Sequence, residues 1–446
     1  MTQDYRQPSI EDLRDRVATV LALAQQLGAT QAEASASFAS GLSVTVRMRS
    51  VETLEYHRDQ GLGLTVYFGH RKGSASTSDL SAGALEESVR KACTLARYTA
   101  EDDCAGLADP ERLARSIPAL DLWHPWALDA TGAIELATRC EAEALDSDAR
   151  ITNSEGASVS SHEGSRVYGN SHGFLDGYRD THHSLSCAVL ASHGEQMERD
   201  FEYTHARDPG ELDSATSVGK VAARRAVARL DARKIDTRTA PVLYPARLAR
   251  GLIGHLVGAV SGGALYRKAS FLLDSLGTAV LADCVSIAER PHLAGGLASA
   301  PYDDEGVTTA DRRLVDGGVL QGYVLGSYSA RKLGMTTTGN AGGVHNLVVA
   351  DTGASYADLL TAMDTGFVVT ELMGSGVNQV TGDYSRGAAG FWVERGEVQF
   401  PVSEVTIAGN LRDIYRGILA IGTDLDMRGG IRTGSILVRE MTIAGS

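Results

Sequence analysis

The chain has 446 residues, enough for about three domains, and a composition that is 43% hydrophobic and 22% charged excludes wholesale disorder. Acidic residues outnumber basic ones 56 to 42, a net charge of -14 with no basic block, which argues against a nucleic-acid partner because phosphate binding needs clustered Lys and Arg. Glycine fills 49 positions against 10 prolines, a balance that favours turns, bulges and strands over a helical bundle.

In chain order, Ser9 with Asp12 forms a capping-box pattern. Leu13, Val17, Val20, Ala24 and Leu27 then mark one helical face up to Gly28. From Glu33 to Thr77 alternation takes over, in Leu42–Met48 and Leu62–Phe68, and predicts an antiparallel meander. Leu85, Val89, Ala92, Cys93 and Ala96 restore helical spacing. Residues 99–127 have no periodicity and gather Asp and Pro, so they read as a boundary, with Trp123 and Trp126 packing against a neighbouring domain. Asp129 caps a helix through Ile134, Leu136, Cys140 and Leu145, strands follow from Arg150 to Tyr203, and a helix covers about Leu212 to Leu230. Helix, meander and helix thus occur twice, by duplication or by recurrence of a common layout. After Pro241 the chain is glycine-dense and strand-prone, with Leu320–Leu325 and Gly390–Arg395 read as strands and Glu394–Glu397 as a hairpin turn.

The fold class is therefore α+β: two N-terminal helix–β-meander–helix layers followed by a large β-rich C-terminal domain. The divisions fall at 1–118, 119–235 and 236–446. Five scattered cysteines without a CxxC pair suit a reducing cytoplasm. Asp4, Arg6, Glu11 and Asp12 stand where a secretory apolar core would lie, and the uncharged run Gly251–Tyr266 is too short and glycine-rich for a membrane span. A cytoplasmic protein without a membrane partner is expected.

Several motifs carry less than their patterns suggest. Gly169-Asn170-Ser171-His172-Gly173 matches G-x-S-x-G, but strand and turn follow it rather than the helix a nucleophile elbow needs. Six histidines lie between His162 and His205 with no HxH or HExxH spacing, and read as solvated or capping residues at strand ends. Gly339–Gly343 and Gly374–Gly376 do not complete a phosphate loop. Asp303-Asp304-Glu305-Gly306 reads as a solvated acidic turn, with too few oxygens for a hard cation. His255, alone in the apolar run Gly251–Val260, reads as a packed core histidine.

That run, together with Gly61–Val66, Asn153–Gly156, Asp303–Gly306, Thr338–Asn340 and Gly422–Leu425 in this order and spacing, resembles the TldD/PmbA family, linked to modulation of DNA gyrase, and its PmbA (TldE) branch most closely. The resemblance implies a two-subunit metallopeptidase acting on unfolded peptides, associated with microcin maturation and antitoxin degradation. Its TldD-type subunit carries H-E-x-x-x-H on a helix and a later cysteine as metal site. Counted back without gaps from Arg267-Lys268, those three positions fall on Gly254, His255 and Ala259, and no cysteine follows Cys284. A catalytic zinc needs about three protein ligands beside an open position. The expectation is therefore a non-catalytic TldE-type subunit with no catalytic residue and no metal of its own, zinc being held only by a TldD-like partner. Unfolded peptides are its expected ligands and a homodimer its expected form when alone. Two alternatives remain open: a metallopeptidase with a divergent site built from the 162–205 histidines and Cys187, and a homodimeric non-enzymatic peptide-binding or adaptor protein.

Overall fold

The computed structural model describes residues 7 to 445, so Asp4 and Arg6 lie outside the described residues. Helix α1 (Ile10–Gln26) starts at the Ser9–Asp12 capping box and buries Leu13, Val17, Val20 and Ala24. Strands β1 (Gln31–Arg47), β2 (Ser50–Phe68) and β3 (Arg71–Thr77) and helix α2 (Ala82–Tyr98) complete the first unit. The second repeats the order with α3 (Ala130–Leu145), β4 (Ile151–Asn170), β5 (Leu175–His193), β6 (Gln196–Ala206) and α4 (Ala215–Ala228).

The chain is α+β with these two helix–meander–helix layers and a β-rich C-terminal region, and the two layers share one sheet. The meanders join edge to edge in one six-stranded sheet, β3-β2-β1-β4-β5-β6, through the antiparallel ladder between β1 and β4. Each unit thus has the same strand order, which favours duplication over chance recurrence. All four helices cover one face, because alternate β1 residues serve both cores. Ala32, Ala34, Ala36 and Phe38 pack under α1 and α2, and Leu42, Val44 and Val46 under α3 and α4. The β1–β2 turn is held from below by Glu141 of α3, which is 0% exposed and accepts the Met48 and Arg49 backbone N–H groups at 2.8 and 2.7 Å. Both turn residues are left-handed, with φ of 48° and 64°.

The units differ at their outer edges. β3 pairs only with Leu62–Phe68 of β2, so among the described residues no strand flanks the outer side of Ser50–Gly61, where Val51, Leu54 and Tyr56 are exposed. β6 likewise pairs only with His183–His193 of β5, but the remainder of β5 is met by other chain. Thr181 N–H donates to the Leu122 carbonyl at 3.0 Å, and the Tyr302 hydroxyl donates to that of Asp176 at 3.0 Å.

The C-terminal half runs through β7 (Arg238–Tyr244), α5 (Ala246–Ala259), α6 (Gly262–Tyr266), β8 (Ile287–Glu289), β9 (Arg312–Asp316), β10 (Val319–Leu320), α7 (Ser327–Lys332) and β11 (Leu347–Val349). It continues with α8 (Tyr356–Met363), β12 (Gly366–Met373), β13 (Asp383–Glu394), β14 (Glu397–Asn410), α9 (Leu411–Arg416), β15 (Ile418–Ile421), β16 (Ile431–Arg432) and β17 (Ile436–Ala444). Two sheets, β14-β13-β12-β7-β17-β15 and β10-β9-β8-β11-β16, enclose one large core with α5 inside it. The β13–β14 turn is the predicted hairpin, with Arg395 and Gly396 both at positive φ. Only Leu320 of the predicted strand Leu320–Leu325 is in a ladder, because Tyr323 and Val324 turn into the core as irregular chain.

Residues 99–127 are a strap between the halves. Ala114 N–H donates to the Gly306 carbonyl at 2.9 Å, and Gly295 N–H to that of Leu120 at 2.8 Å. The two tryptophans stay on the N-terminal sheet: the Arg179 guanidinium stacks 3.3 Å over Trp123, and Trp126 stands edge-on to His183. Cation–π stacking and a histidine edge hold them there, not a neighbouring domain.

Candidate functional site

Helix α5 begins at Pro245, whose carbonyl accepts from Leu248 and Ala249, and buries Ala249, Leu252, Ile253, Leu256 and Ala259. Its other face carries Gly251, Gly254, His255 and Gly258. A Cβ at Gly251 or Gly254 would meet open space, whereas one at Gly258 would meet the Gln379 amide. His255 is half-buried and edge-on to Tyr384, with ring centroids 6.0 Å apart. It is therefore not the core histidine that its apolar neighbours suggest. Burial, reinforced by the Arg386 guanidinium, lowers its pKa and keeps the ring neutral.

The three positions counted back from Arg267-Lys268 thus hold a glycine without a side chain, a rim imidazole and an alanine that is 0% exposed in the core. The loop after β15 supplies no substitute. Asp424 accepts from Ser435 N–H and Oγ at 2.9 and 2.6 Å, Asp426 is clamped by Arg428, and no thiol is present. One imidazole does not make a zinc site, and the residues at this position do not fit the metal. Among the described residues no group of three or more His, Cys, Asp or Glu could hold a metal ion.

Of the six 162–205 histidines, His193 is exposed at the end of β5 beside Asp231, as expected, and His172 lies in the β4–β5 turn against the Ala108 carbonyl, while His162, His182 and His205 sit in ring pairs. Mid-strand, His162 Nδ1 lies 2.9 Å from His57 Nε2, and His182 Nδ1 lies 3.3 Å from His205 Nε2. They are half-buried ring pairs, not solvated strand ends. Burial lowers the pKa of His162 and His205, and burial with the Arg207 charge pushes His182 down to about 4. His183 points to the opposite face, where it donates to the His124 carbonyl at 2.8 Å. Cys187 also lies on the helix side, where it is buried against Cys140, whose thiol pKa is raised by their hydrogen bond and by burial. The pleat therefore separates Cys187 from the paired rings. Ser171 lies in the β4–β5 turn with its Oγ accepting the Ala32 N–H at 3.0 Å, away from any helix start.

What the structure does assemble is a chamber. The sheet face without helices is laid with small polar residues, among them Ser35, Ser37, Ser160 and Ser184, and with Glu33, Arg166 and Tyr178. The 303–306 turn of the C-terminal half faces it across a cavity of about 890 Å³. Glu33 accepts the Tyr67 and Tyr168 hydroxyls at 3.0 and 2.8 Å, and burial raises its pKa. The acidic turn is not solvated throughout: Asp303 is 2% exposed and accepts the Glu305, Val307 and Ala341 N–H groups at 2.9 Å each. Those bonds offset only part of the burial penalty, so its pKa is pushed up to about 7.

A carboxyl raised above its unfolded value near 3.8 contributes stability that is fully present below that pH and is lost as pH rises through about 7. Asp303→Asn is expected to flatten this fall between pH 4 and 7. It should also lower stability by about 1–3 kcal/mol at the acid end of that range, since one amide oxygen cannot accept all three bonds. Thermal melts across that range check it, and an unchanged slope would refute the assignment.

Sequence reading found the turn but not its burial, and it missed Glu33, Tyr67 and Tyr168. The one signal for them is the alternation of β1, which puts Glu33 on the face opposite Ala32 and Ala34.

Residues 237–445 match the family model of the PmbA/TldA metallopeptidase C-terminal domain, residues 123–230 its central domain, and residues 32–96 its domain 1. The chain is 52% identical over 433 residues to Metalloprotease PmbA of Escherichia coli O157:H7, spanning 97% of this chain and 96% of that protein. In structure it is similar to a candidate modulator of DNA gyrase from Bacteroides thetaiotaomicron, with a TM-score of 0.93 and 27% identity over 98% of this chain and 100% of that one. TldE from Thermococcus kodakarensis shares the fold, with a TM-score of 0.84 at 18% identity over 96% and 100% of the two chains.

Proposed function

This chain belongs to the PmbA/TldD metallopeptidase family, and we propose that within it the chain is a non-catalytic subunit of the TldE type. It pairs with a TldD-like chain that holds the metal, and the two close a chamber around unfolded peptides. The observation that carries this reading is the donor set on α5, where Gly254, His255 and Ala259, the positions that the resemblance assigns to H-E-x-x-x-H, offer one imidazole. The serine-lined sheet face supports the chamber, since small polar side chains leave room for an extended peptide and select little among its side chains. Five free cysteines support a cytoplasmic setting, and no described helix is long and apolar enough to cross a membrane. Without its partner the chain self-associates.

Elemental mass spectrometry on the purified chain, before and after co-purification with a TldD-type subunit, tests the reading. Metal is expected to be absent from the chain alone and near one atom per heterodimer afterwards. Stoichiometric zinc or iron on the isolated chain, or failure of the two chains to copurify, counts against it.

A further inference from the structure

A cavity of about 1010 Å³ lies away from the α5 rim, where β6 and α4 meet the C-terminal half. Its walls carry seven arginines, in a chain with a net charge of -14. Five of them are held in place. Arg207 donates to the Gly296 and Leu297 carbonyls at 2.9 and 3.0 Å, Arg225 and Arg428 share Glu202, and Arg229 and Arg247 share Asp200. The two others are not. Arg224, on the exposed side of α4, makes no hydrogen bond or ion pair among the described residues. Arg432, in β16, has a buried Nε without an acceptor.

The carboxylates of the walls do not fill this need. Asp424 is bonded to Ser435, Asp426 is clamped by Arg428, and Asp200 already lies between two arginines. Glu211 and Asp213 stand exposed, and Glu211 acts on Arg432 only at a distance. The site is thus short of acceptors: Arg247 and Arg428 lie near enough to Arg225 to add to the burial that lowers its pKa.

The cavity has apolar walls too, with Leu297, Tyr356, Phe391 and Met427 beside the guanidinium groups. That mixture suits a carboxylate carried on an organic chain better than a small hydrated anion, because the apolar walls can pack against the chain while the planar guanidinium forks match a carboxylate's two oxygens. The cavity also adjoins the chamber. A smaller void of about 210 Å³ shares Arg207 and Leu297 with this cavity, and Asp180, His182 and Tyr302 with the space beneath the serine-lined face.

We propose that this arginine-lined cavity is the subsite for a carboxylate of an extended peptide lying in the chamber, with Arg224 and Arg432 as the groups that grip it. The proposal rests on the peptide-chamber reading given above. The carboxylate has two sources, the peptide's C-terminus or an acidic side chain, with the same recognition chemistry.

The test is fluorescence anisotropy on the full chain with an N-terminally labelled heptapeptide of alternating alanine and serine. Three forms are compared at low salt: the free acid, the C-terminal amide, and the amide with one central glutamate. The free acid is expected to bind about tenfold or more tighter than the amide. Arg432→Gln and Arg224→Gln are each expected to cut that preference about threefold to tenfold, with amide affinity and Tm unchanged. Arg224 is exposed, so its variant keeps the test valid if Arg432→Gln folds poorly. Rescue of the amide by glutamate assigns a side-chain carboxylate, and no rescue assigns the C-terminus; both uphold the subsite. Equal binding of all three forms, or a carboxylate preference that survives both substitutions, overturns the subsite alone. Failure of all three peptides to bind at millimolar concentration overturns the subsite and the chamber together.

Discussion

Given an unfolded peptide, the isolated chain is expected to hydrolyse it no faster than water does, and Gly254→His, His255→Glu and Ala259→His combined are expected to leave it so. Enzymes accelerate such reactions about 10⁶-fold or more, so a complex with a competent TldD-type subunit should differ from this chain by many orders of magnitude. The three substitutions restore the family's spacing on α5 but not its chemistry. Gly254 and His255 stand at an open rim and accept new side chains. Ala259 is 0% exposed inside the core, where an imidazole overpacks its neighbours and buries polar nitrogens without partners. That change costs about 2–5 kcal/mol. The loop after Asp424 still offers no thiol. Fluorogenic peptide release with and without chelator, beside zinc content and Tm, reads all three outcomes. Chelator-sensitive cleavage by the unaltered chain would sink the non-catalytic assignment.

Glu141→Gln is expected to destabilise the N-terminal half by about 2–4 kcal/mol, the range for breaking a buried charge-assisted hydrogen-bond pair. Both carboxylate oxygens are engaged, one by the Met48 N–H and one by the Arg49 N–H, and the side chain has no access to water. Glutamine presents an amide NH₂ where one of those donors needs an acceptor, so two donors face each other in the interior. The turn they anchor holds two non-glycine residues in the left-handed region, a conformation that persists only when its surroundings enforce it. Glu143, two residues on in the same helix, bonds to Thr216 at 3.1 Å and approaches Lys220, and it is the control. Glu143→Gln should cost less than about 1 kcal/mol. Urea unfolding of the two variants separates them, and equal midpoints would mean that the turn does not depend on its buried carboxylate.

The fold was legible where periodicity and caps agree. Ser9–Asp12 opens α1 as its pattern requires, Asp129 caps α3 with its side chain accepting from Gly132, and Arg395-Gly396 makes the hairpin turn. Alternation along β1 and β4 announces strands, but it carries no information on which strands become neighbours. The union of the two meanders across β1 and β4 was therefore out of reach of local signals. Residues 99–127 lack periodicity because they serve neither helix nor sheet, and their hydrogen bonds go to both halves. Of the site, the expectation for Gly254, His255 and Ala259 came from the resemblance to the family, because no spacing in the chain itself marks a metal site there. The burial of Asp303 was not legible, since three backbone donors from two separate segments create it. Nor was the arginine cavity, whose walls come from β6, α4, α5, α8, β12, β13, β16 and loops between them.

The outer side of β2, unflanked among the described residues, carries a further consequence, for how copies of this chain avoid pairing along that edge. Along an unflanked edge, alternate N–H and C=O groups point outward and can template pairing with another strand, and Val51, Leu54 and Tyr56 would reward it. Glu52, Glu55 and Asp59 punctuate the same stretch. Two copies laid edge to edge would bring these carboxylates within reach of their counterparts, and like charges opposed across a ladder repel. The acidity of this single strand is thus a solubility device. It lets an open sheet margin persist in a crowded solution without recruiting its own kind into a growing fibre.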